Sequence, residues 1–139
     1  MKSTHSGEVE IQAPFCDLDP LEVVWHGHYV KYFEMARCAL LGKLGYSIPQ
    51  MKASGYAWPV IELFVRYARP IRFEQKVRVR ADLVEWEYRL KVAYVVTDVD
   101  TGERLAKGHT VQVAVNVATG QTCFASPDVL RRHVTEGPR

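Results

Sequence analysis

The residues best suited to chemistry are concentrated in one short segment, residues 15–29. It holds the carboxylates of Asp17 and Asp19 and the imidazoles of His26 and His28, and it ends where a helix is predicted to begin. A helix N-terminus presents unpaired backbone N–H groups and a partial positive charge, which can polarise a carbonyl oxygen and stabilise the oxyanion formed when that carbonyl is attacked. With Asp19 nearby, the segment has the parts of a hydrolytic site, in which the carboxylate attacks the carbonyl or deprotonates water.

Each of these residues also has an ordinary structural interpretation. An Asp in a loop before a helix commonly caps the helix or holds an Asx turn. For His26 and His28 a surface or capping role is the default, and no third ligand lies near them in sequence to indicate a metal site. Cys16 stands beside the Asp pair without a base placed by sequence, so we expect a small buried residue there.

Hydrophobic periodicity predicts the helix that follows this segment. From Tyr29 onward, apolar residues recur three or four positions apart, and Gly45 is suited to end a helix. The apolar series is Phe33, Ala36, Leu40 and Leu44. We therefore expect one amphipathic helix from His28 to Leu44.

Most of the remaining chain alternates apolar with polar residues, as strands with one buried face do. A first strand is predicted over residues 8–15, and four more follow a connector at residues 46–59. The later strands cover about residues 61–68, 76–83, 88–96 and 105–117. A lone helix can bury its apolar face only on such a sheet, so we expect an α+β fold in which an antiparallel sheet curls around one helix.

Length and composition indicate a single domain over residues 1–139, since a second core would need roughly another hundred residues. We expect a polar tail at residues 1–6 and a short helix near residues 127–133. A net charge of +2 provides no field to attract nucleic acid. Three widely separated cysteines favour a reducing, cytoplasmic setting, and no run of about 18 apolar residues indicates a membrane span or a signal peptide.

Two linked motifs carry a family resemblance. Asp17-Leu18-Asp19-Pro20 is followed by Val23-Val24-Trp25-His26 and by Tyr29, and the helix continues with Tyr32, Phe33, Glu34 and Arg37. These residues resemble the signature of 4-hydroxybenzoyl-CoA thioesterase-like hotdog proteins. The similarity extends through Arg69-Pro70-Ile71, Glu85-Trp86 and Thr119-Gly120 to Pro127, so it covers about residues 8–132.

The resemblance implies a hotdog fold, in which a five-stranded antiparallel sheet wraps around one long central helix. It also implies hydrolysis of an acyl thioester carried on coenzyme A or on an acyl-carrier protein. Asp19 then corresponds to the catalytic carboxylate and His26 to the histidine near the substrate, while Asp17 is structural. The residues expected to bind the substrate are Trp25, Gly27, His28 and Tyr29. Backbone N–H groups around residues 26–28 would polarise the thioester carbonyl.

The same resemblance bears on assembly and partners. It implies a homodimer joined edge to edge into a continuous sheet, with active sites at the dimer interface, or a homotetramer of such dimers. It implies neither a metal nor a cofactor, because coenzyme A or phosphopantetheine belongs to the substrate. Nucleic acid and membrane insertion are not expected.

Some residues depart from the family pattern and keep other functions open. Leu21 and Glu22 stand where many relatives have small residues, and His28 stands where many have Asn. A non-catalytic subunit that binds acyl thioesters is the main alternative, and a hotdog dehydratase is a less favoured one. Glu34 and Arg37 are expected to form an intrahelical ion pair.

The predicted strands also contain aromatic and basic residues for which the sequence suggests a role. Core or interface packing is preferred over acyl-pocket lining for Phe64, Tyr67 and Trp86. Solvated strand faces account for the arginines, of which one or two could bind coenzyme A phosphates. These are Arg66, Arg69, Arg72, Arg78 and Arg80.

Overall fold

The computed structural model describes residues 5–137. Five strands form the main sheet: β1 (Ser6–Gln12), β3 (Val60–Tyr67), β4 (Lys76–Glu85), β5 (Leu90–Asp98) and β6 (Arg104–Gln112). The sheet is fully antiparallel, and its strand order is β1-β4-β5-β6-β3. A single long helix, α1 (His28–Lys43), packs on one face. This is the hotdog architecture, and it confirms the predicted α+β fold.

The predicted apolar face of α1 is the face that meets the sheet. Phe33, Ala36 and Leu40 have no exposed surface, and the Phe33 ring stacks on Tyr94 of β5 with ring centroids 4.4 Å apart. At Gly108 of β6, an added Cβ would lie 2.7 Å from the Phe33 ring and 2.2 Å from the carbonyl oxygen of Phe64. Since side-chain atoms do not approach so closely, a glycine is needed for this helix to lie flat on this sheet.

The connector and the last predicted strand differ from the sequence prediction. The connector contains a short helix, α2 (Ile48–Ala53), whose start is held by a capping box between Ser47 and Gln50. The strand predicted over residues 105–117 ends at Gln112, because the chain then turns so that β7 (Val115–Asn116) can pair with β2 (Tyr56–Ala57).

The two chain ends also differ slightly from the prediction. Strand β1 begins at Ser6, and Ser6 therefore pairs in the sheet instead of lying in the expected tail. Residues 1–4 of that tail fall outside the described residues. The C-terminal helix, α3 (Asp128–Glu136), is longer than expected and anchors Leu130 and Val134 in the core.

The two edges of the sheet have opposite character. On β1 the exposed positions are polar, and Glu8 and Glu10 pair with Arg78 of β4. On β3 the exposed positions are largely apolar, with Ile61 60%, Leu63 44% and Tyr67 46% exposed. Charges protect an edge from pairing with another chain, whereas an apolar edge invites it. Within residues 5–137, no helix is both long and apolar enough to cross a bilayer.

Candidate active site

The loop between β1 and α1 folds into a tight hairpin that is hydrogen-bonded to the connection between β3 and β4. Asp19 donates its backbone N–H to the Val23 carbonyl at 2.9 Å, and Val24 donates to the Ile71 carbonyl at 2.8 Å. Between them, Glu22 adopts a φ of 64°, in the left-handed region that Gly, Asn and Asp adopt most readily. The loop is thus a defined element that can position a side chain.

The carboxylate of Asp19 is held at one oxygen. Its Oδ1 accepts hydrogen bonds from the backbone N–H groups of Leu21 at 2.8 Å and Val23 at 3.5 Å. This is the Asx-turn role considered as the structural alternative. Among residues 5–137, no group donates a hydrogen bond to Oδ2. One oxygen therefore fixes the side chain while the other is left available for chemistry.

Asp19 opens onto a cleft of about 290 Å³ between the loop, the start of α1 and the end of β3. His26 and Tyr29 line the same cleft, as does Tyr67 from β3. The remaining wall is formed by Val23, Val24, Ala68, Arg69 and Pro70. A carboxylate, an imidazole and two phenols thus converge on one partly apolar space.

Tyr67 connects the edge strand to the histidine segment. Its hydroxyl donates a hydrogen bond of 2.7 Å to the backbone carbonyl of His26, and its ring meets the Tyr29 ring edge to face at 4.8 Å. Burial raises the pKa of both phenols; for Tyr29 a hydrogen bond with the Ile71 backbone offsets part of this rise. Both tyrosines therefore stay protonated at neutral pH and add no negative charge next to Asp19.

The start of α1 provides a smaller set of free amides than expected. The N–H of His28 is already donated to the Trp25 carbonyl at 2.9 Å. Within the described chain, the N–H groups of His26 and Gly27 have no hydrogen-bond acceptor. The expected group of amides over residues 26–28 is thereby narrowed to those of His26 and Gly27.

Gly27 allows the indole of Trp25 to pack closely over the start of the helix. A Cβ at position 27 would lie 2.2 Å from the indole of Trp25, well inside contact distance. The indole in turn contacts the rings of His26 at 4.9 Å and His28 at 5.4 Å. Trp25 thus covers the start of the helix and restricts where His26 can point.

Asp17 lies behind the site as its buried support. It accepts hydrogen bonds of 2.7 Å from Lys31 and from the Tyr32 hydroxyl, and His28 Nε2 lies 3.8 Å away. Burial by itself raises the pKa of Asp17, but the hydrogen bonds from Lys31 and Tyr32 and the charge of Lys31 outweigh burial and lower it. The carboxylate therefore stays ionised and anchors the loop to α1, as a structural residue would.

The structure separates the predicted site residues into two groups. Asp19, His26 and Tyr29 share the cleft. The other three lie around the start of the helix and do not line the cleft; they are Trp25, Gly27 and His28. Cys16 was expected to be buried and is exposed, because its turn lies at the surface, so that expectation is wrong.

Tyr67 and Arg69 line the cleft, although their positions in the sequence do not predict that they meet Asp19. Both come from the end of β3 and the turn after it, about fifty residues from Asp19 in sequence. For Tyr67 the sequence favours core or interface packing, and the structure places it on the cleft wall. The only available signal was the Arg69-Pro70 pair in the family pattern, because spacing along the chain cannot show which strand end meets the loop.

A second hollow of about 490 Å³ continues from the cleft, with Arg69 and Pro70 belonging to both. Arg72 and Gln75 also line it, and Arg69 forms an ion pair with Glu103 at 3.2 Å.

Among residues 5–137, no group of three His, Cys, Asp or Glu side chains is arranged to hold a metal ion.

Comparison with known proteins shows the family. The family model of the thioesterase-like superfamily matches residues 14–133. A Synechocystis protein, sll0410, provisionally named an esterase, is 31% identical over 113 residues, which make up 81% of this chain and 68% of that protein.

Solved structures of related proteins have the same fold as this chain. A DHNA-CoA thioesterase from Staphylococcus aureus superposes with a TM-score of 0.79 and 28% identity, over 86% of this chain and 80% of that one. A second S. aureus protein, SAV2348, was solved in complex with CoA. It superposes with a TM-score of 0.84 over 99% of this chain and 85% of that chain, and its 14% identity supports the fold alone.

A hotdog sheet around one helix, with a carboxylate in a cleft at the helix start, defines the class of hotdog thioester hydrolases. This chain belongs to the thioesterase-like superfamily. The resemblance read from the Asp17-to-Arg37 motif is thereby confirmed.

Proposed function

We propose that this protein hydrolyses acyl-CoA thioesters, with Asp19 as the reacting carboxylate. The observation that carries the proposal is the Asp19 side chain, whose Oδ1 is held by two backbone amides while no group among residues 5–137 donates to Oδ2. Asp19 and His26 line the same cleft. The similarity to a DHNA-CoA thioesterase supports coenzyme A over a carrier protein as the carrier.

The chemistry follows from these groups by either of two routes. In one, Asp19 Oδ2 attacks the thioester carbonyl, the C–S bond breaks, and water then hydrolyses the resulting anhydride. In the other, Asp19 removes a proton from water as that water attacks, and the departing thiolate takes up a proton. Both routes yield a carboxylic acid and a free thiol. Neither consumes a metal, an oxidant or a reductant.

The free N–H groups of His26 and Gly27 would stabilise the oxyanion that forms in both routes. His26 lies on the cleft wall next to them, where its imidazole would orient the substrate or water. The Tyr67 hydrogen bond to the His26 carbonyl holds this peptide segment in place. Backbone donors stabilise an oxyanion well only when they are fixed before the reaction begins.

The coenzyme A portion would leave the cleft through the adjoining hollow. Arg69 and Arg72 line that hollow, and guanidinium groups bind phosphates well. Of the five strand arginines, only Arg69 and Arg72 line this hollow, whereas Arg78 and Arg80 lie outside it and pair with Glu10 and Asp82. We therefore assign the phosphate contacts to Arg69 and Arg72.

The proposal includes a homodimer joined along β3. The exposed apolar residues of this edge, and the contrast with the charged edge at β1, support it. A two-fold axis near the middle of β3 would extend the sheet across two copies. Each cleft, which ends at Tyr67, would then lie beside the second copy.

The test compares wild type with Asp19→Asn, which keeps the shape of the side chain and an oxygen for the Asx turn. Thiol release is followed with acyl-CoA and acyl-carrier-protein thioesters of matched acyl groups. We expect Asp19→Asn to lower kcat by at least about a hundredfold, while Asp100→Asn, in an exposed turn, leaves it unchanged. Equal rates for wild type and Asp19→Asn would refute the role of Asp19. Tight binding without turnover by wild type would instead favour a non-catalytic binding subunit.

A further inference from the structure

Two exposed phenylalanines lie side by side, one on the loop between β1 and α1 and one on the connection between β3 and β4. Phe15 is 74% exposed and Phe73 is 49% exposed, and their rings meet edge to face with centroids 5.8 Å apart. With Leu18, Glu22 and Arg72 they line a slot of about 350 Å³. Contiguous exposed apolar surface often marks a binding site, whereas single exposed apolar residues are ordinary.

Backbone hydrogen bonds fix the positions of both rings. The first ring belongs to a short 3₁₀ helix (Phe15–Asp17). Phe73 lies in a turn of residues 72–75, which a backbone hydrogen bond of 3.1 Å closes between its first and last residues. Two backbone hydrogen bonds of Ala13, each 3.0 Å long, join the segment before the 3₁₀ helix to that turn. The slot is therefore formed before a ligand arrives, which lowers the entropic cost of binding.

Arg72 connects this slot to the hollow that was assigned to coenzyme A, since it lines both. Arg69 is paired with Glu103, whereas within residues 5–137 no hydrogen bond or ion pair engages the guanidinium of Arg72. A free guanidinium binds phosphate oxygens well. The cleft, the hollow and the slot thus adjoin one another in that order, and a group suited to phosphate stands between the last two.

The slot itself suits a flat base better than a phosphate. Two aromatic rings and Leu18 form most of its lining, and the face of a nucleobase stacks readily on such rings. Glu22 also lines the slot. Its carboxylate would repel a phosphate, whereas it can accept a hydrogen bond from the exocyclic amine of adenine.

We propose that Phe15 and Phe73 bind the adenine ring of coenzyme A, with the phosphates held at Arg72 where the slot meets the hollow. The inference rests on the proposed thioesterase function and deepens it. A carrier protein presents its acyl group on the same phosphopantetheine arm, but that arm ends on the protein and carries no base. The slot is therefore the feature by which this enzyme selects coenzyme A as the carrier.

The first test compares thioesters with and without the nucleotide. Phe15→Ala and Phe73→Ala are assayed by thiol release on the benzoyl and decanoyl thioesters of coenzyme A and of pantetheine. We expect each variant to raise KM for the coenzyme A thioesters about tenfold at unchanged kcat, because a stack on the base is lost. Both constants for the pantetheine thioesters should stay at wild-type values. Phe124→Ala, 95% exposed and outside the slot, is the matched control.

The conservative variant Phe73→Tyr, which keeps the ring, should retain the wild-type KM. Wild-type KM values in both alanine variants would overturn the inference. An equal loss on coenzyme A and pantetheine thioesters would also overturn it, because the rings would then support the fold or an interface. A defect confined to acyl-carrier-protein thioesters would do the same and would make the slot a surface for protein docking.

The second test measures binding without turnover. Coenzyme A and 4′-phosphopantetheine are titrated by calorimetry into wild type, Phe73→Ala and Phe124→Ala. We expect wild type and Phe124→Ala to bind coenzyme A about tenfold more tightly than 4′-phosphopantetheine, and Phe73→Ala to remove most of that difference. Equal affinities of wild type for the two ligands would refute a site for the base.

The two levels of the proposal fail in different ways. A wild-type protein that releases thiol from none of these thioesters refutes the proposed function, and the calorimetry then decides whether the slot binds the nucleotide. An active wild type that Asp19→Asn inactivates, but whose KM both alanine variants leave unchanged, refutes only the adenine slot.

Discussion

The hydroxyl of Tyr67, at the end of the edge strand, donates a 2.7 Å hydrogen bond to the backbone carbonyl of His26, at the start of the central helix. This contact joins two parts of the chain that are 41 positions apart. It fixes the peptide that joins His26 to Gly27 and leaves the N–H groups of both residues unused. The position of the proposed oxyanion-binding amides thus depends on the sheet edge as well as on the helix.

Removing that hydrogen bond is expected to impair catalysis more than folding. Tyr67→Phe keeps the ring contact with Tyr29 but frees the His26 carbonyl, and a hydrogen bond of this kind contributes about 1 kcal/mol. We expect kcat/KM for acyl-CoA hydrolysis to fall about fivefold with little change in Tm. Tyr88→Phe, 65% exposed and outside the cleft, is the matched control. A Tyr67→Phe enzyme with wild-type kinetics would show that the contact does not position the site.

His26 is expected to matter less than Asp19. If the imidazole orients substrate or water rather than reacting, His26→Ala lowers kcat less than Asp19→Asn does, and saturating substrate recovers part of the rate. Steady-state kinetics of the two variants on one acyl-CoA gives the order. The reverse order would make His26 the principal catalytic group and would remove the role assigned to Asp19.

Asp17 is expected to link stability to pH. Its folded-state pKa is lowered from the ordinary value of 3.8, so its contribution is fully present above that value and is lost as the pH falls through the lower, folded-state pKa. At pH 7, Asp17→Asn should cost about 1–3 kcal/mol, since Lys31 and Tyr32 lose a charged acceptor. Urea unfolding at pH 7 and at pH 3.5 should show the gap between the two proteins shrinking at the lower pH. Asp100→Asn serves as the exposed control, and a gap that widens in acid would contradict this account.

The apolar edge is expected to hold the dimer together. Leu63 is 44% exposed and lies near the middle of β3, so Leu63→Glu would place two like charges close together across the two-fold axis. We expect this variant to become monomeric by light scattering and to lose activity, while the monomer stays folded. Val84→Glu, on the outer face of β4 and 55% exposed, should leave the dimer intact. An active Leu63→Glu monomer would refute both the β3 dimer and a site completed by a second copy.

The sequence by itself determined the fold class and the location of the site loop. Period-two alternation predicted the five strands, and the series from Phe33 to Leu44 predicted the helix that they enclose, because burial of an apolar face is set by local spacing. The motif from Asp17 to Arg37 predicted the family for a similar reason, since its residues are close together in the chain. The ion pair between Glu34 and Arg37, three positions apart, was predicted in the same way and is confirmed at 2.5 Å.

Only the tertiary structure decided which distant residues meet that loop. Tyr67 and Arg69 reach the cleft because β3 pairs with β6 in one register, and a pairing register depends on the whole sheet rather than on any one segment. Contacts across the fold also distinguish the two aspartates. Lys31 and Tyr32 each donate to one oxygen of Asp17, whereas within residues 5–137 only one oxygen of Asp19 accepts a hydrogen bond. Local spacing places a residue on a face of its own element, whereas packing between elements determines what that residue touches.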